Sequence, residues 1–103
     1  MDAKATILST LAAEEPPDDL SSPLKALWWL KKGELGTGAA WRRAHEICQS
    51  SQGVPEFDLV HALVHVIEGD TGNAAYWFRR AGVPPTGGGI SAQWERIVAE
   101  LDR

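Results

Sequence analysis

Slid along itself by 36 residues without a gap, the chain matches at Ala26/Ala62, Leu27/Leu63, Gly33/Gly69, Glu34/Asp70, Gly36/Gly72, Ala39/Ala75, Trp41/Trp77 and Arg43/Arg79. A period in this range marks a repeated supersecondary unit that cannot bury its apolar face alone. The better preserved copy is HALVHVIEGDTGNAAYWFRRAGVPP, running from His61 to Pro85. Phe57, Val60, Val64 and Ile67 recur at helical spacing, with Leu59, Leu63 and Val66 as a second apolar row. Gly69 then supplies the left-handed residue that closes a helix, and Asp70 or Thr71 caps the next one. Ala74, Trp77, Phe78 and Ala81 form one face of that second helix, and Pro84 and Pro85 end it. So short a turn makes the two helices antiparallel. The spacing therefore predicts an all-α fold of two antiparallel helical hairpins.

Gly69, Asp70, Ala74, Phe78, Ala81 and Pro84 together resemble the second half of a tetratricopeptide repeat, a likeness that spans roughly residues 57–85. It implies stacked hairpins whose first helices line a concave binding face. The upstream copy departs from the pattern, with Gly38, Arg42 and His45 at the small, aromatic and small positions, and the final proline comes early. The wider run, with AHE at Ala44–Glu46 and HALVH at His61–His65, is also similar to a group of small bacterial proteins of uncharacterised function, and implies no activity.

In chain order, residues 1–20 read as an N-terminal helix and linker. Ala3, Ile7, Leu8 and Leu11 lie on one side of that helix, and Pro16 and Pro17 break it. The first hairpin occupies residues 22–50, with Ser22 as N-cap and Pro23 opening its first helix. The second hairpin occupies residues 55–82. After a Pro/Gly loop over Val83–Gly89, Ser91 caps a C-terminal helix over residues 91–102 with Trp94, Ile97, Val98 and Leu101 facing inward. These terminal helices, or a second subunit, must cover the apolar flanks that two hairpins leave open. A monomer and a homodimer both fit.

At 103 residues the chain is one domain, able to remove about 65% of its unfolded-chain surface from water. Its five Trp residues are core, since each buries on the order of 150–250 Å². A net charge of −4 disfavours nucleic acid and anionic lipid, and no apolar run reaches membrane-spanning length. The lone Cys48 forbids an internal disulfide, suits a reducing compartment, and reads as a packed thiol. A cytoplasmic location is the expectation. The glycines of Gly33–Gly38 form a turn, because no strand, GxGxxG or lysine-serine ending makes them a phosphate cradle.

One surface draws chemistry together. Asp58, His61, His65 and Glu68 form a stripe roughly 80° wide on their helix, and the 36-residue shift sets Lys25, Trp29 and Lys32 beside His61, His65 and Glu68. Taken as solvent-exposed, the stripe gives a mixed-charge groove with a weak Lys32–Glu68 ion pair. The expected function is a non-enzymatic protein- or peptide-interaction module. Trp29 supplies apolar contact, Lys25 and Lys32 meet acidic groups, and Asp58, His61 and His65 set orientation, with Glu68 on the same binding face. The alternative is a divalent-metal protein or metal-dependent enzyme. His61 and His65 stand one turn apart, with Asp58, His45 or Glu46 completing the ligand set. HALVH lacks the glutamate of a zinc-protease motif, so no hydrolysis follows, and no motif calls for an organic cofactor.

Overall fold

The computed structural model describes residues 2–85 and 87–102, so Thr86 of the expected Val83–Gly89 loop lies outside the described residues, as do Met1 and Arg103. Among them the fold is all-α: α1 (Ala3–Thr10), α2 (Ser22–Lys32), α3 (Ala39–Gln49), α4 (Pro55–Glu68), α5 (Thr71–Ala81) and α6 (Ile90–Leu101). Among the described residues no helix is long and apolar enough to cross a membrane. The helices α2 and α3 pack on each other, as do α4 and α5, and α3 joins the two pairs by packing against α4. The terminal helices α1 and α6 meet, and α6 also lies on α2 and α4.

Helix α4 is the hub. It touches α2, α3, α5 and α6, and every residue from Asp58 to His65 is buried. Its apolar rows wrap so far round the helix that no face is left for water, which is the pattern of an internal helix. The stripe expected to lie in solvent is therefore largely inside, with Asp58 at 0%, His61 at 2% and His65 at 6% exposure. Glu68, at the end of the helix, is exposed.

Three tryptophans pin elements together through their indole N–H groups. Trp28 of α2 donates to the Thr10 hydroxyl of α1 at 3.0 Å, Trp94 of α6 donates to the Leu27 carbonyl at 2.9 Å, and Trp41 of α3 donates to the Val64 carbonyl at 2.9 Å. A buried indole needs such a partner, so each bond fixes position as well as satisfying a donor. Trp28, Trp77 and Trp94 belong to the core; Trp29 and Trp41 are half-buried against it.

The two interhelix turns are built differently despite their matching sequences. Gly69 closes α4 in the left-handed region at φ 85°, and the Asp70 side chain accepts from Asn73 N, as expected. Gly33, by contrast, has φ −82°, and it is Glu34 and Leu35 that take φ 58°. Gly33 is small for a steric reason: a Cβ there would lie 2.9 Å from the Cβ of Ala40 on α3. Other local expectations shift slightly. Ser21 rather than Ser22 precedes α2, Gly89 rather than Ser91 precedes α6, and left-handed Gly82 ends α5 before the prolines. Leu8 is exposed on α1 while Ala3 and Ile7 go inward.

These two glycines separate two costs. Gly33→Ala is expected to destabilise by about 1–3 kcal/mol through overpacking, and Ala40→Gly in the same chain should restore part of that loss. Gly69→Ala should cost about 1 kcal/mol through backbone strain alone, with no rescue from Ala40→Gly. Urea unfolding of the four variants measures both.

Candidate metal centre

Three imidazoles converge where α3 meets α4. His61 and His65 are four residues apart on α4, so both rings leave the same side of the helix. Their centroids are 4.9 Å apart and their planes 25° from parallel. His45 approaches from α3, edge-on to both, at 5.0 Å from His61 and 5.4 Å from His65. One ligating nitrogen from each lies within 4.8 Å of the others. Tetrahedral binding to one ion at about 2.0–2.1 Å brings such nitrogens to about 3.3 Å, so the rings must close on one another to hold it.

Tryptophans form the walls. Trp41, one turn before His45, stacks on its ring at 5.1 Å, and Trp77 of α5 stacks on His61 at 3.9 Å with planes 15° apart. The two residues related by the internal repeat thus flank the same cluster, each against a different histidine. The Trp41–His45 spacing is a local signal for one wall. Trp77 is core, as expected, but the histidine it covers is on another helix.

The surroundings of His61 and His45 favour neutral imidazole. Burial, reinforced by repulsion from His65 and His45, pushes the His61 pKa down to about 4. Burial and then His65 also lower His45, against opposing pulls from Glu68 and Glu46. Neutral nitrogens keep the lone pairs that a cation needs. His65 is oriented by its Nδ1–H, which donates to the Glu68 carboxylate; this leaves Nε2 as its ligating atom, the arrangement a supporting carboxylate gives a metal-bound histidine. His61 makes no hydrogen bond among the described residues, and its buried Nδ1 is unpartnered.

The remaining expected site residues lie elsewhere. Asp58 is not part of the histidine cluster: its Oδ1 accepts from Gly53 N at 3.0 Å, and its Oδ2 is buried without a partner. It sits beside Cys48, whose thiol is pushed up to about 12 by burial and then by the Asp58 charge. Cys48 is thus a packed, protonated thiol, as expected. Glu46 is exposed and outside the cluster. The Lys32–Glu68 pair does not form. Lys32 Nζ donates to the Leu11 and Ala13 carbonyls at 2.8 and 2.7 Å, while Glu68 is held by His65. Lys25 and Trp29 are half-buried on α2, with Trp29 edge-on to Trp28 and under the Arg43 guanidinium at 4.8 Å.

A histidine whose folded pKa is depressed contributes stability above its unfolded value and loses it as pH falls. Metal-free protein should therefore lose on the order of 3 kcal/mol at most between pH 6.5 and about 4 from His61, within a cluster that also holds His45, His65 and Glu68. Urea titrations at successive pH values, with His61→Phe flattening that portion of the curve, check the assignment.

Scans of family models, of curated proteins and of solved structures each returned no match to this chain, so its chemistry rests on the residues themselves.

Proposed function

We propose that the protein binds one divalent transition-metal ion through His45, His61 and His65, with Glu68 orienting His65. The observation that carries this is the convergence of three mostly buried imidazoles from two helices, with the buried Nδ1 of His61 lacking a hydrogen-bond partner among the described residues. A buried polar ring with no partner is costly unless a ligand supplies one. An all-imidazole set suits zinc, copper, nickel, cobalt or iron rather than magnesium or calcium, which take oxygen. Because its ligands come from both helix pairs, the ion would fasten α3 to α4.

Untagged protein is expected to bind one equivalent of zinc by calorimetry and elemental analysis, and His61→Ala or His45→Ala to abolish it. Zinc at a hundred times its Kd adds about 2.7 kcal/mol of stability, which for a domain of this size raises Tm by roughly 10–20 °C. Chelation should reverse the rise. Glu68→Ala should weaken zinc roughly 10- to 100-fold without changing stoichiometry.

A protein-interaction role keeps one specific support. Trp29 and Arg43 border a surface depression with Glu46, Ile47 and Ser50, and the paired helices are consistent with a tetratricopeptide-like stack. With Asp58, His61 and His65 buried, that surface would rely on Trp29 and Lys25. A folded Trp29→Ala/Lys25→Ala variant that recovers the same partners as wild type in a pull-down removes it.

A further inference from the structure

Resting on the three-histidine assignment, we propose that the bound ion keeps one coordination position open for a small exogenous monoanion of the size of azide, formate or cyanate. Three observations converge on this. The first is that, among the described residues, no fourth side chain groups with the three histidines, Glu68 and Asp70 forming a separate group with His65. The other buried ligating side chains nearby are already placed: Asp58 is tied to Gly53 N and lies beside Cys48, outside the histidine group. Glu68 is engaged with His65 Nδ1, and would have to release that bond to reach an ion on the other side of the ring. Structural zinc sites are closed by four protein ligands, whereas three leave a position for an outside molecule.

The second observation is charge. Imidazole ligates through a lone pair and brings no negative charge, so three of them would leave a divalent ion's full double charge in a partly dehydrated setting. Charges interact more strongly there than in water, and an anionic ligand lowers that charge where a neutral one does not. The third is shape. His61 and His65 are at 2% and 6% exposure, but the Glu68 side chain is 31% exposed and His45 is half-buried. The centre therefore meets solvent along one side, between α3 and the end of α4. Trp41 stacked on His45 and Trp77 stacked on His61 crowd the rings, and a small anion is the occupant that demands the least room. Binding is a simple exchange: a water leaves the ion, a lone pair of the anion takes its place, and no electron is transferred.

Cobalt(II) in place of zinc makes the site visible, because its absorption reports coordination number and ligand type. Untagged protein with one equivalent of cobalt is titrated with sodium azide at constant ionic strength, with sodium perchlorate as the control. The expected result is a saturable shift of the visible band with azide, none with perchlorate, and loss of the band itself in His61→Ala. If cobalt binds stoichiometrically but azide moves nothing, the open position does not exist and the proposal falls while the metal site stands. A response that appears only in Glu68→Ala overturns it equally, and identifies Glu68 as the occupant. Failure of both cobalt and zinc to bind instead removes the metal assignment beneath it.

Discussion

A helix surrounded by other helices must account for every polar group it carries, and α4 carries three inside the protein. Asp58, His61 and His65 are buried in a helix that otherwise presents Leu59, Val60, Ala62, Leu63 and Val64 to its neighbours. In such a place an unsatisfied polar atom costs about 1–3 kcal/mol. Asp58 is partly satisfied by the turn before the helix and His65 by the glutamate at its end, but the buried Nδ1 of His61 has no partner among the described residues. The ring stack and the approach of α3 surround that unmet requirement.

The tryptophans decide where α3 and the end helices can sit. Each of three indoles reaches out of its own helix to a hydroxyl or a main-chain carbonyl of another, so area burial and a directed bond act at the same contact. Trp41 is the most consequential for the site. Its bond to the Val64 carbonyl holds α3 against the turn of α4 that carries His61 and His65, while its ring supports His45. The placement of the third histidine is thus set by a tryptophan four residues earlier.

Much of the helical layout was legible because apolar periodicity and the glycine turns are local signals. The Gly69–Asp70 turn could be read from composition, and so could the inward set of α6. What could not be read was which side of α4 faces water. Its polar residues share one stripe, and a stripe of that width is the mark of an exposed edge unless another helix lies over it. That information resides in α3, whose amphipathic face does not by itself name the helix it covers. The same limit applies to Gly33, which matches Gly69 in the repeat but serves close packing against Ala40 instead of chain reversal. Lys32 illustrates it again: its expected acidic partner gave way to two carbonyls at the end of α1.

The three histidines also have a bearing on time. His45 and His61 are 16 positions apart and belong to different helix pairs, so their rings meet only where α3 is packed on α4. If that packing is completed after the folding barrier, it contributes little to that barrier and much to the one for leaving the native state. An occupant of the cluster would accordingly act as a latch, lengthening the lifetime of the folded molecule while leaving the speed of its formation almost untouched.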